Sequence, residues 1–251
     1  MDRNYKTLRR GFTLVEIVLV VGLILIITAL AVPNFLREFQ REQLPGSAGQ
    51  MRSLLTLTRA NAAFDGKRYR IRCPEDSEQD ALGGNQQPII EREDDPVREP
   101  EIFYPVTAPW AIGKTFVGDV WCVEVRLGRP TVEKLRARRS AIEDAIESSR
   151  EDFAPERPPL YIEPDASSDW ATFVLVEGPR GLDVEETEEY PRLEVILEGA
   201  TGLTWVQRPL YDEELDLFEE KNWPVVLRQD LVNDKMLTED DVLELREVWV
   251  R

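Results

Sequence analysis

Arg9-Arg10-Gly11-Phe12-Thr13-Leu14-Val15-Glu16 stands near the start of this sequence, and an apolar run follows it to Val32, just before Pro33. At about 1.5 Å per residue the run from Leu14 to Val32 is long enough for a hydrocarbon core of ~30 Å. Among the charged residues before this run, four are basic and one is acidic. We therefore expect one transmembrane helix over about 14–32, with its amino terminus in the cytoplasm and the rest of the chain outside.

Glu16 is the single charged residue within this run. A carboxylate at the bilayer centre costs about 2.5–3.5 kcal/mol. Two interpretations stay open: Glu16 lies near the interface and remains solvated, or it meets a cationic partner inside the membrane.

An ordinary secretory signal is a competing interpretation of the same residues. A basic start, an apolar segment and Ala29-Leu30-Ala31 are typical of a signal peptide, and Arg9-Arg10 fits a twin-arginine signal. The apolar run is longer than the usual hydrophobic region, however, and a signal peptide gains nothing from Glu16. We favour processing after Gly11.

The segment Gly11–Glu16 resembles the class III signal of type IV pilins and type II secretion pseudopilins. The resemblance implies that a prepilin peptidase cuts between Gly11 and Phe12 and methylates the new amino group of Phe12. It also implies that Glu16 meets the amino group of a neighbouring subunit, where a buried charge pair selects register. Pro33 lies where pilins commonly have a helix-kinking proline. The implied partners are the peptidase, other pilins or pseudopilins, an inner-membrane assembly platform and membrane lipid.

A helix rich in small residues over 57–63, a short turn and an alternating strand over 67–73 are similar to the H-type minor pseudopilins and their FimT-like relatives. This resemblance implies an α+β, pilin-like fold, in which a long N-terminal transmembrane helix precedes a mainly antiparallel β-sheet head. It also implies a single-pass protein of the bacterial inner membrane with a periplasmic or extracytoplasmic head.

The expected domain organisation has four parts. A leader covers 1–11, and an N-terminal helix covers 12–66, amphipathic after the membrane span and broken near 45–49. A β-rich head covers 67–208 with an insertion at about 74–170, and an acidic, ordered extension covers 209–251.

Composition limits the functions that the chain can perform. Its 251 residues include 48 Asp and Glu against 31 Lys and Arg, a formal charge of −17, and no His. The acidic balance disfavours nucleic acid as a partner. Without His, a Ser-His-Asp triad and His-containing zinc sites are excluded, and we expect no enzyme activity, no cofactor and no metal.

Cys73 and Cys122 are the two cysteines of the chain. They can form a disulfide in an oxidising compartment, or remain as two buried thiols that pack as small hydrophobes. The sequence leaves both interpretations open, because it supplies no distance between them.

Periodicity predicts the remaining elements. An acidic segment at 74–99 and a proline-rich connector at 155–169 are expected to be loops without a calcium site. A helix is expected from 129 to about 151, packed on the sheet of the head. Strands are expected at 101–106, 120–127, 171–177, 192–198 and 203–207.

These features favour a minor pseudopilin, a structural subunit of a type II secretion or related type IV pilus filament that assembles through its N-terminal helix. Two alternatives are a membrane-anchored binding module delivered by a pilin-type leader, and a FimT-like minor pilin for DNA uptake.

Overall fold

The computed structural model describes residues 14, 16–23, 42–74, 86–147, 156–179, 190–220 and 225–226. The chain divides into two units, residues 1–42 and residues 43–251. In the second unit the described residues form three named helices, α1 (Gln43–Asp65), α2 (Val132–Glu147) and α3 (Asp212–Glu220). Its strands are β1 (Tyr69–Arg72), β2 (Ile89–Glu93), β3 (Phe103–Pro105), β4 (Val120–Leu127), β5 (Leu160–Ile162), β6 (Ala171–Glu177), β7 (Arg192–Leu197) and β8 (Thr204–Gln207).

The strands form two four-stranded antiparallel sheets. Sheet A has the order β3-β2-β1-β5, and sheet B has the order β4-β6-β7-β8. In sheet B, β6, β7 and β8 form a meander, whereas β4 and β6 are separated in the chain by α2 and β5. Both sheets therefore contain a long-range pairing: β5 returns to sheet A from beyond β4, and β6 then returns to pair with β4 in sheet B.

Helix α1 lies against the strands of sheet B and also contacts β5 of sheet A. Pro45 falls in the first helical turn, where its missing N–H costs no intrahelical hydrogen bond. The helix ends at Gly66, which has φ 63° and donates its N–H to the Ala62 carbonyl at 2.9 Å. A glycine suits this left-handed position because it carries no Cβ.

One hydrophobic core joins α1 to both sheets. Met51 and Leu55 of α1, Ile71 of β1, Phe173 of β6 and Val195 of β7 belong to a single buried cluster. The buried positions of α1 recur at three- and four-residue spacing, as one face of a helix requires.

Helix α2 lies on the other face of sheet B, and α3 packs against α2. A β-bulge between Cys122 and Glu124 turns Glu124 and Arg126 away from α1, and Arg138 of α2 donates to Glu124 at 2.7 Å. Leu215 and Phe218 of α3 are fully buried. Sheet B therefore lies between helices on both faces.

No helix among the described residues combines the length and the apolar character that a membrane span requires. This corrects two predictions, the fold with a long N-terminal transmembrane helix and the single-pass localisation in the inner membrane. The longest described helix, α1, includes Arg52, Arg59 and Asp65, and its buried face packs on a β-sheet. Residue 15 and residues 24–32, about half of the predicted span, lie outside the described residues.

The predicted break near residues 45–49 is also absent, since α1 is continuous through them. Two strands appear where loops were predicted. β2 lies in the acidic segment 74–99 and β5 in the connector 155–169. The segment of β2 was predicted to be a solvated loop because it contains Glu91 and Glu93, but both residues are buried in the sheet. By contrast, the predicted bounds of β4 and β6 are confirmed, and α2 lies within its predicted range.

We predict that Leu55→Ala lowers the free energy of unfolding by about 2–5 kcal/mol, because it leaves a cavity between α1 and the sheets. Leu57→Ala is the matched control, since Leu57 is 43% exposed on the same helix while Leu55 is fully buried. The control is expected to change stability by less than about 1 kcal/mol. Chemical denaturation measures both, and equal losses would contradict the packing described here.

Candidate functional site

The residues predicted for processing fall mainly outside the described part of the chain. Gly11, Phe12 and Pro33 are not among the described residues. Glu16 is described, and it begins the helical stretch 16–23 with an exposed side chain.

The helical stretch 16–23 presents large apolar side chains to its surroundings. Leu14 is 79% exposed and Leu19 is 66% exposed. Ile17, Val18, Val20, Val21 and Leu23 are also exposed. A contiguous apolar surface of this kind marks an interaction surface.

The face of α1 that points away from the core is a second exposed surface, on which no other described element packs. It includes Gly49, Ser53, Leu57 and Phe64, the last of which is 89% exposed. Polar side chains beside this face satisfy their donors within the helix: Ser53 donates to the Gly49 carbonyl at 3.1 Å, Thr56 to the Arg52 carbonyl at 2.9 Å, and Asn61 to the Leu57 carbonyl at 2.7 Å. Back-bonding of this type reduces the cost of placing a polar side chain against an apolar partner.

The two cysteines are brought together in the core. Cys73 follows β1 of sheet A and Cys122 lies in β4 of sheet B, and both are free and buried. Burial raises the pKa of the Cys122 thiol well above its ordinary value, and a hydrogen bond with the Cys73 thiol raises it further. The structure thus places the predicted pair side by side, as thiols.

Arg157 was not singled out by the sequence, yet it lies beside both cysteines. Its guanidinium donates to the Val123 carbonyl at 3.1 Å and to the Pro74 carbonyl at 2.6 Å, and stacks over the Trp121 ring at 5.5 Å. Arg157 is 8% exposed. The sequence around Arg157 does not indicate that this arginine is buried beside the cysteines, because the two acceptors named above are main-chain carbonyls, which any residue type supplies.

A buried polar network occupies the helix-covered outer face of sheet B. Arg126 forms an ion pair with Glu194, and Arg138 forms one with Glu124 at 2.6 Å. Burial lowers the pKa of Arg126, but the carboxylates of Glu194 and Glu124 outweigh it and raise that pKa above its ordinary value. Each charge therefore has an opposite charge in contact, as burial requires.

Arginines on the outer face of sheet A are paired with acids. Arg70 stacks over Phe103 at 4.5 Å and donates to Glu91 at 2.6 Å. Arg68 stacks over Tyr161 at 4.5 Å and pairs with Glu163 at 2.9 Å. This face combines aromatic rings and arginines, but its acids offset the positive charge that a phosphate backbone needs.

Acidic residues of the predicted loop have local structural roles where they are described. Asp94 accepts from Lys67 at 3.0 Å and from Arg92 at 2.8 Å, and Asp95 accepts the backbone N–H of Arg98 at 3.0 Å. The described residues contain no group of three or more Cys, Asp or Glu placed to hold a metal ion. Asp76, Glu78 and Asp80 lie outside them.

Comparison with known proteins found no matching family model, no matching curated protein and no matching solved structure.

Glu214 of α3 supplies a pH-dependent contribution to stability. Burial raises its pKa, but hydrogen bonds from Arg208 and from the Tyr211 N–H hold the pKa of this carboxyl below its ordinary value. The stabilisation is therefore present above the ordinary pKa and is lost as the pH falls through the lower folded-state pKa.

We predict that Glu214→Gln lowers the free energy of unfolding by about 1 kcal/mol at neutral pH, and that the difference from wild type disappears as the pH falls from ~5 to ~3. The control is Glu220→Gln, at an exposed position of the same helix. Urea unfolding across this pH range measures both variants. A Glu214→Gln difference that stays constant with pH would contradict the assignment.

Proposed function

We propose that this chain is a structural subunit of a filament of the type II secretion or type IV pilus class, with the role of a minor pseudopilin. In this proposal a prepilin peptidase cuts between Gly11 and Phe12, and the new N-terminal segment joins the subunit to its neighbours. The observation that carries the proposal is the Gly11–Glu16 motif, followed directly by a helical stretch with exposed apolar side chains.

The exposed apolar surface at 16–23 supports assembly with equivalent segments of other subunits. The proposed occupant is the same helical segment of a neighbouring subunit, which presents the same apolar side chains. Such surfaces on water-exposed proteins are rare unless a partner covers them. Helix against helix is a suitable geometry, because Leu14, Val18 and Val21 recur at three- and four-residue spacing.

Glu16 fits the role of a register residue. It is the single charged side chain of the apolar run 14–32. When subunits pack, burial of its carboxylate is unfavourable unless a cation meets it. The new amino group of Phe12 on a neighbouring subunit supplies that cation, so that only one axial offset between subunits avoids an unpaired charge.

The head supports a structural rather than a catalytic role. Beside the exposed face of α1, the side chains of Ser53, Thr56 and Asn61 donate hydrogen bonds to carbonyls of the same helix. Another subunit can therefore pack on this face without leaving those donors unpaired. The arginines of sheet A are paired with Glu91 and Glu163, and the net charge is −17. These charges weigh against a DNA-uptake role.

We predict that Glu16→Ala leaves the chain folded and cleavable but lowers its incorporation into filaments about tenfold or more, a ratio that corresponds to ~1.4 kcal/mol. The matched control, Glu220→Ala, removes an exposed carboxylate of the head and is expected to incorporate normally. The measurement is the fraction of the chain that copurifies with sheared filaments in a host that provides the peptidase and the other subunits. Normal incorporation of Glu16→Ala would refute the register role, and copurification of neither wild type nor control would refute the proposed function.

A further inference from the structure

The cysteine pair stands where the two sheets meet. Cys73 directly follows β1 of sheet A, and Cys122 lies in β4 of sheet B, while both belong to the one core cluster that joins the sheets. They are 2% and 4% exposed, and the Cys122 thiol donates to the Glu124 carbonyl at 3.4 Å, while the neighbouring Cys73 thiol contributes to raising the pKa of Cys122. A covalent bond at this point would join two sheets that share no ladder of backbone hydrogen bonds in the described chain.

A β-bulge in β4 aims Cys122 at this point. The register between β4 and β6 shifts between Cys122 and Glu124, so that Val123 is the extra residue. The extra residue shifts the alternation, so that Cys122 and Glu124, which would share a face of a regular strand, point to opposite faces of the sheet. Cys122 then faces the core and sheet A, whereas Glu124 faces the ion pairs on the outer side.

Arg157 fixes the main chain beside both cysteines. The two carbonyls that accept from it belong to Pro74 and Val123, each of which is the residue immediately after a cysteine. Bonds from one buried guanidinium to both segments hold them at a fixed separation, and charge-assisted bonds of this type are among the stronger hydrogen bonds in proteins. The contact between the thiols is therefore supported by a second contact.

We propose that Cys73 and Cys122 form a structural disulfide that joins sheet A to sheet B and that Arg157 positions the two segments for it. The oxidant is the disulfide of a thiol–disulfide exchange protein. One cysteine thiolate attacks that disulfide to give a mixed disulfide, and the second cysteine thiolate then attacks the mixed disulfide and releases the oxidant as its dithiol. The chain loses two protons and two electrons, and the oxidant is reduced.

Burial decides when the bond forms and how long it lasts. A protein oxidant cannot reach thiols that are 2% and 4% exposed, so exchange takes place while the head is folding. Burial of Cys122 also raises its pKa and suppresses the reactive thiolate in the folded head. Once formed, the bond is shielded from reductants by the same packing, so that it acts as a permanent link and not as a switch.

The experiment compares the full-length chain, refolded with a mixture of oxidised and reduced glutathione, with the double variant Cys73→Ala/Cys122→Ala. We expect wild type to show no alkylatable thiol after denaturation and an intact mass lower by two hydrogen atoms. We also expect its melting temperature to exceed that of the reduced protein by roughly 5–15 °C. The double variant should not respond to reductant.

Two free thiols after refolding, or bonds only between chains, would overturn the proposal. The number of free thiols is measured on wild type, so this test does not depend on whether a variant folds. It is also independent of filament assembly, so either proposal can fail alone.

The positioning role of Arg157 has its own measurement, the ratio of disulfide to dithiol at a fixed glutathione potential. We expect Arg157→Met to lower this ratio about tenfold, because the two cysteine segments are no longer held together. Arg129→Met is the matched control, since Arg129 also stacks over a tryptophan ring, Trp170 at 5.6 Å, but is exposed and lies at the far end of β4 from Cys122. Equal ratios for wild type and Arg157→Met would exclude a positioning role.

Discussion

Burial of one face of α1 against sheet B is the interaction on which the rest of the head depends. Met51 and Leu55 lie in the same cluster as Phe173 and Val195, and β1, β2 and β5 of sheet A add their inward side chains to it. Burial of large apolar side chains is the main favourable contribution to folding. Because each sheet shares this core with α1, a change at the helix affects both sheets at once.

The second face of sheet B carries buried charged side chains that form ion pairs. Glu124, Arg126 and Glu194 lie on the face of sheet B that α2 contacts, where each carboxylate meets an arginine. Buried pairs of this kind add little net stability, but the loss of one partner is costly. They therefore fix which helix face can cover the sheet. The bulge at Val123 separates this polar face from the face that carries Cys122.

The sequence predicted all four strands of sheet B but only β1 and β3 of sheet A, for a physical reason. β4 and β6 are runs of apolar residues between clear turn signals, and their bounds are confirmed. β2 carries Glu91 and Glu93, which read as solvent-exposed until the arginine partner of Glu91 is known, and β5 is only three residues long. The sequence did not identify Arg157, because its acceptors are main-chain carbonyls far away in the chain, and such contacts produce no pattern of side chains in the sequence. The expectation of a long membrane helix came from the apolar run over 14–32 and from the resemblance to pilins, and the described helices do not bear it out.

The account of function rests on how the amino terminus is made, since both Phe12 and Glu16 take part in assembly only if the leader is removed. The most direct measurement is the amino-terminal residue and intact mass of the chain recovered after coexpression with a prepilin peptidase. The account predicts a chain that starts at N-methylated Phe12. A chain that starts at Val32 after cleavage beyond Ala29-Leu30-Ala31, or one that retains residues 1–11, would contradict it.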